Sequence, residues 1–177
     1  VRTDGGEAEQ LTSLKGEVLS FKWAPDSKMI AFTVRDPATD EEQKKKKEGD
    51  DEVYVNHDYK FARLWVVSLT DRKTEQVSKQ DLEVNGIAWS PDGSQLAVCI
   101  ASTPRNDDIY WHSSLVITRR LTGETVRKLS ENPAGMEARW SPDGQTIALA
   151  EFTPNKIASG LVLVPATGGP RRELLKD

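Results

Sequence analysis

Three ungapped segments decide the fold: Phe21-Lys-Trp-Ala-Pro-Asp-Ser-Lys-Met-Ile-Ala-Phe32, Ile87-Ala-Trp-Ser-Pro-Asp-Gly-Ser-Gln-Leu-Ala-Val98 and Ala138-Arg-Trp-Ser-Pro-Asp-Gly-Gln-Thr-Ile-Ala-Leu149. In each, a tryptophan closes one apolar run, a turn follows, and a second apolar run begins. Proline fixes φ at about −65°, which suits the second position of a type I turn. The aspartate can cap that turn through its carboxylate. Gly93 and Gly144 can take the left-handed conformation that closes a bulged hairpin. Ser27 stands where those glycines stand, and a left-handed serine costs about 1–2 kcal/mol. The sequence therefore predicts a turn at Ser27 that is either mildly strained or shaped differently.

Each segment leads to another apolar run: Leu64–Leu69, Ser114–Arg119 and Gly160–Val164. A polar turn and a short basic-apolar strand follow, at Thr74–Val77, Thr125–Leu129 and Pro170–Leu174. Trp23 and Trp89 are 66 residues apart, and Trp89 and Trp140 are 51 apart. Four strands plus turns fit a blade of about 40–50 residues, as in a β-propeller. The opening Thr3–Thr12 matches the end of such a unit and recurs as Ala166–Leu174. The reading is an all-β partial propeller of about three four-stranded antiparallel blades plus a leading strand. Residues 1–13 end a preceding blade, and 14–80 form a blade with a charged insertion at 36–60. Residues 81–131 and 132–177 form two more.

The strands are apolar on both sides, as strands buried on two faces are. Leu19, Phe21 and Trp23 share one face, and Ile30, Phe32 and Val34 share another. Trp65-Val-Val67 is large throughout. The three repeat tryptophans are expected to pack between blades. Three blades leave two apolar blade faces unpaired, so the chain reads as a fragment that associates with further chain or with itself.

The insertion carries its own signals. Thr39-Asp-Glu-Glu42 has capping-box spacing. Acids fill the first turn and Lys44 to Lys47 follow, an order that suits the helix dipole. Glu41 with Lys45, and Glu42 with Lys46, are i,i+4 pairs. Gly49 can end the helix. A short solvated helix near 40–48 and an acidic turn at Asp50-Asp-Glu52 follow from this.

The 177 residues carry 24 Lys and Arg against 28 Asp and Glu, a net charge of −4. That balance excludes a nucleic-acid-coating protein, which needs a basic surplus. No run of about 18 apolar residues exists, so no membrane-spanning helix is read. Cys99 is the one cysteine and falls in an apolar strand, where it reads as an inert buried thiol. Compartment stays open between cytoplasm and periplasm for what reads as a soluble chain.

Catalytic constellations are missing from the sequence. It holds no Gly-x-Ser-x-Gly elbow, His-Glu-x-x-His, Gly-x-Gly-x-x-Gly, Walker loop or paired Cys-x-x-Cys. His57 reads as a surface or strand-end residue. His112 has Asp107 and Asp108 nearby in sequence but no nucleophile elbow to serve. Asp107-Asp108 and Asp50-Asp51 read as solvated acids rather than calcium ligands. Tyr110 and Trp111 read as core packing or a blade edge, with a loop position that touches a ligand as the alternative. No catalytic, metal or cofactor residue is assigned, and no cofactor is expected.

The Trp-(Ser/Ala)-Pro-Asp-(Gly/Ser)-x-x-(Ile/Leu)-Ala segments resemble the TolB-type propeller repeat, shared by TolB-like proteins and by the propellers of prolyl oligopeptidase-type serine peptidases. Ile30-Ala-Phe-Thr-Val-Arg-Asp-Pro37, the Glu/Lys-rich helix and Asp58-Tyr-Lys-Phe-Ala-Arg-Leu-Trp65 resemble the acylaminoacyl-peptidase and dipeptidyl-peptidase branch. That resemblance implies a propeller capping an α/β-hydrolase domain of the same parent protein. The hydrolase carries the Ser-Asp-His triad, and the propeller admits short peptides. None of the triad maps onto this chain. Some family members hold a substrate amino group with propeller acids; Glu52, Asp58 and Asp108 are unranked candidates. The alternative is a TolB-like module for protein–protein interaction.

Overall fold

The computed structural model describes residues 5–49, 58–131, 133–152 and 159–174. Twelve strands among them form three four-stranded sheets. The first holds β1 (Val18–Trp23), β2 (Met29–Arg35), β3 (Ala62–Ser68) and β4 (Thr74–Gln76). The second holds β5 (Glu83–Trp89), β6 (Gln95–Ala101), β7 (Ser114–Arg119) and β8 (Thr125–Ser130). The third holds β9 (Pro133–Trp140), β10 (Thr146–Phe152), β11 (Ser159–Pro165) and β12 (Arg172–Glu173). Every pair is antiparallel and follows chain order. The architecture is a partial propeller with no closed barrel.

The turns explain the shared register. Ser27, Gly93 and Gly144 have φ of 58°, 69° and 71°, so the serine adopts the glycine conformation and carries its strain. Asp26, Asp92 and Asp143 each accept the backbone N–H two residues on, at 2.9, 3.0 and 2.9 Å. Ser90 and Ser141 also donate their hydroxyls to Asp92 (2.6 Å) and Asp143 (2.5 Å). Ala24 holds the equivalent place in the first turn and has no hydroxyl to give. Trp23 then faces Ile30, Trp89 faces Leu96, and Trp140 faces Ile147. Phe21 faces Phe32 in the same ladder, so Phe21 and Trp23 share a face with Ile30 and Phe32; Val18 faces Val34, and a bulge leaves Leu19 unpaired.

Blades stack through their faces. Leu64 and Val66 of the first meet Ile87, Trp89, Leu96 and Val98 of the second. Leu115 and Ile117 of the second meet Ala138, Ile147 and Leu149 of the third. Leu64, Val66, Leu115 and Ile117 are each at most 1% exposed. Burying such a side chain contributes about 1.5–3 kcal/mol.

Two tryptophans lock these junctions. Trp89 Nε1 donates to the Lys22 carbonyl at 3.0 Å, and Trp140 Nε1 to the Ala88 carbonyl at 3.2 Å. In both cases the acceptor immediately precedes the tryptophan of the preceding blade. Trp23 departs from the expectation that all three pack between blades: it is 56% exposed, against 8% for Trp89. No blade among the described residues stands before it.

Residues 5–14 form no strand, where the repeat had suggested one. A strand needs a ladder, and no described strand pairs with them. Leu11 and Leu14 nonetheless pack against Ile30, Phe32 and Val34. Leu11 thereby does for the first blade what Val77 does for the second and Leu129 for the third.

The expected helix is α1 (Asp40–Lys47). Its capping box is complete: the Glu42 N–H donates to Thr39 Oγ1 at 3.2 Å, and the Thr39 N–H to Glu42 Oε2 at 2.6 Å. Gly49 follows at φ 79°. Lys45 pairs with Glu41 at 3.8 Å, but Glu42 turns to Lys60 at 2.9 Å instead of Lys46. A second helix, α2 (Asn106–Trp111), stands where a loop was expected. No described helix is long and apolar enough to cross a membrane. Cys99 is 3% exposed, and burial pushes its thiol up to about 12.

Two predictions follow from the turns. Ser27→Gly removes left-handed strain at some cost in chain entropy, and should stabilise the chain by about 0.5–1 kcal/mol in urea unfolding. The Ser90 hydroxyl, and after it the Ser94 N–H, hold the Asp92 carboxyl below the usual carboxylate range. A lowered folded-state pKa stabilises above the unfolded value and loses that contribution as pH falls through the folded one. Asp92→Asn should therefore be less stable than the parent near neutrality, with the gap narrowing at about pH 3, as urea unfolding at both pH values will measure.

Candidate interaction rim

Antiparallel order gives each blade two unlike ends. One end holds the short Pro-Asp turns and the third-to-fourth strand turns. The other holds the second-to-third strand connections: 36–61 in the first blade, 102–113 in the second and 153–158 in the third. Both helices and the blade-to-blade crossovers sit at this second end. It is the rim where the chain spends residues that strand pairing does not need, and such connections are where binding residues concentrate.

The base of the long insertion is clamped. Arg63 sits on β3 and donates through Nε to both Asp36 oxygens, at 3.1 and 3.0 Å. Its Nη2 reaches Asp81 at 2.8 Å, its Nη1 the Gln80 carbonyl at 2.6 Å, and its guanidinium lies over the Phe61 ring at 4.9 Å. The Asp36 hydrogen bond, outweighing burial, raises the Arg63 pKa. Arg63 therefore ties both ends of the insertion to the crossover that leads into the second blade.

Beside it, Glu83 is 3% exposed. It accepts the Ala62 N–H at 2.8 Å and Arg35 Nη1 at 3.2 Å. A buried carboxylate is tolerable only when paired in this way. Glu151 repeats the idea in the third blade, buried against Ser130 and Arg171. Neither acid was singled out from sequence, yet both left a trace. Glu83 repeats Glu17 before a valine, and Glu151 stands where the other blades carry Val34 and Ile100.

Further along the rim, Thr103 Oγ1 donates to Asp108, and the Arg105 N–H donates to Thr103 Oγ1 at 3.3 Å. Trp111 stacks on Phe152 of the third blade, with centroids 5.0 Å apart, so α2 bridges two blades. Tyr110 is 53% exposed beside it. His112 is exposed and closes α2, its N–H donating to the Asp108 carbonyl at 3.1 Å. Among the described residues the structure gathers no group of three or more His, Cys, Asp or Glu that could hold a metal. Asp58 lies at the foot of the insertion with Tyr59 and Lys60, on the same rim as Asp108 but on a different blade. Glu52, His57 and the Asp50-Asp51 pair lie outside the described residues.

The rim offers a charged segment on a clamped base, two buried acids held by partners, and exposed aromatic rings at a blade junction. Glu83→Ala should cost about 1–3 kcal/mol in urea unfolding, because it strands the buried Ala62 N–H and takes the carboxylate from Arg35, which keeps the Lys60 carbonyl at 2.8 Å; Glu83→Gln, which keeps an acceptor, should cost less than half of that.

The fold is shared with known proteins at low identity. TolB from Acinetobacter baumannii matches with a TM-score of 0.61 and 18% identity, over 98% of this chain and 36% of that one. A putative dipeptidyl aminopeptidase IV from Bacteroides ovatus matches with a TM-score of 0.63 and 13% identity, over 96% and 30%. The uncomplexed acylaminoacyl peptidase from Pyrococcus horikoshii matches with a TM-score of 0.56 and 14% identity, over 90% and 25%. The chain thus spans little more than a third of these structures, or less. No curated protein sequence matches it. Residues 12–157, most of the chain, match the family model described as eukaryotic translation initiation factor eIF2A, and the chain belongs to that family.

Proposed function

We propose that the chain is a non-catalytic propeller segment that gates and positions short peptides for a serine-peptidase hydrolase domain of the same parent protein. The observation that carries this reading is the charged insertion, rooted by Arg63 to Asp36 and Asp81 on the rim of long connections. A loosely tethered arm would sweep freely. A clamped one holds a fixed position at an entrance, as a gate must. The insertion is also where the sequence resembles the acylaminoacyl and dipeptidyl peptidases. In this reading the acyl transfer itself takes place on the hydrolase domain. The rim supplies exclusion and orientation, which raise rate by holding the substrate in place.

A second reading, a propeller module that docks other proteins, is favoured by the family match. The parent reading frame separates the two. Several hundred further residues with a Gly-x-Ser-x-Gly and a later histidine support the peptidase; a frame that stops soon after Asp177 overturns it in favour of the docking module.

The 177-residue chain by itself should not turn over a chromogenic aminoacyl ester, and turnover abolished by a serine-directed reagent would count against the reading. In the full-length protein, Asp36→Ala combined with Asp81→Ala should release the arm. Hydrolysis of a long peptide should then rise several-fold relative to a dipeptide substrate; equal effects on both would remove the gate.

A further inference from the structure

One threonine stands where its counterparts in the other blades are valines. Thr118 pairs with Leu96 as Val67 pairs with Ile30 and Val164 with Ile147, so the three hold one register position on the third strand of each blade. Val67 and Val164 are buried, and Thr118 is 7% exposed. Threonine differs from valine by a hydroxyl in place of a methyl. That hydroxyl finds no partner: among the described residues, Thr118 Oγ1 is buried without a hydrogen bond. A buried polar group left unpaired costs stability, and a valine would fill the position without that cost.

Thr118 lines a cavity of about 270 Å³ between the first and second blades. Leu64 and Val77 line it from the first blade, and Val98, Ile100 and Val116 from the second. Both walls belong to blades that already pack on each other through Leu64, Val98 and Val116. Thr118 shares a sheet face with Val116, two residues before it, so its side chain turns toward the first blade. Thr118 lies opposite Leu96, four residues before Ile100, so the lining runs about 13 Å along the strands. The cavity is a slot, long and narrow. Its walls are held at a fixed separation by the turn before β8. Gly123 takes φ of 67° there, and a Cβ would lie 1.9 Å from the Val77 carbonyl oxygen. The charged lining residues, Lys79 and Glu124, are both exposed, and Glu124 pairs with Arg119 at 3.2 Å. The interior is apolar and uncharged, with one buried hydroxyl waiting on its wall.

We propose that this slot binds a neutral, unbranched aliphatic molecule of about six to eight carbons with one hydroxyl or carbonyl oxygen, which hydrogen-bonds Thr118 Oγ1. The slot's length and narrowness select an extended chain. Its apolar walls supply the attraction. The lone hydroxyl selects the headgroup, since it can donate to a carbonyl or exchange a hydrogen bond with an alcohol. A charged head is excluded, because a carboxylate or ammonium buried against one hydroxyl would lose far more hydration than it regains. The proposal does not depend on the peptidase reading.

Titration calorimetry of the full-length protein with 1-butanol, 1-hexanol, 1-octanol and 1-decanol tests it, with benzene as a probe that has no headgroup. Affinity should rise about fourfold per methylene up to 1-octanol and gain nothing further at 1-decanol, which overfills the slot. Thr118→Val places the residue of the other two blades and should fold at least as stably as the parent. It should bind 1-hexanol about five- to tenfold more weakly, while benzene binding stays the same. Thr118→Ser, which keeps the hydroxyl, should bind 1-hexanol more tightly than Thr118→Val does. Val116→Phe should fill the slot and abolish binding of every probe, with circular dichroism as the check on its fold. A parent that binds none of the alcohols overturns the proposal. So does a Thr118→Val protein that binds 1-hexanol like the parent, since the cavity would then be a packing gap with no task for the hydroxyl. Affinity that keeps rising through 1-decanol overturns the slot as the site.

Discussion

The structure depends on one hydrogen bond made twice: a tryptophan indole donating to the carbonyl just before the preceding blade's tryptophan. A blade is flat and apolar on both faces, so hydrophobic packing alone would let neighbouring blades slide. Hydrophobic attraction has no direction. The indole N–H does, and a buried one without an acceptor costs about 1–3 kcal/mol. Each tryptophan therefore contributes a large apolar surface and one fixed polar contact that sets register between blades. The tight Pro-Asp turn immediately after it holds the tryptophan at the end of its strand. This is why the two features recur together.

Much of this was legible in sequence. The repeat gave the three blades, and the turn residues gave the hairpins; at Ser27 the sequence left a strained and a differently shaped turn open, and the structure shows the left-handed one. The capping box gave α1 and its end at Gly49. Other parts were not legible, for identifiable reasons. The six-residue α2 buries no side chain and has no side-chain cap at Arg105, so neither periodicity nor capping marks it. Trp23 looks like its two counterparts in sequence and differs in that no blade among the described residues packs beside it. Its exposure is a property of the assembly, not of the residue. Residues 5–14 keep the apolar contact of Leu11 but find no ladder among the described strands.

The rim was the least legible region. Sequence reading weighed His112 and the paired acids as chemistry, and the structure instead gives Asp108 to Thr103 and leaves His112 at a helix end. The residues that organise the rim, Glu83, Arg63 and Glu151, act through partners far away in sequence. Arg63 meets Asp36 across the whole insertion and Asp81 across the outer strand. Long-range pairing of this kind leaves no local spacing to read. What does survive is comparison between repeats: a charged residue where other blades are apolar points to a local task.

The most direct measurement is hydrogen exchange of the indole N–H groups by NMR. The account predicts slow exchange for Trp89 and Trp140, whose indoles are bonded between blades, and fast exchange for Trp23. Equal rates for all three would contradict it, because the blades would then be held by apolar contact without the directional bond that sets their order.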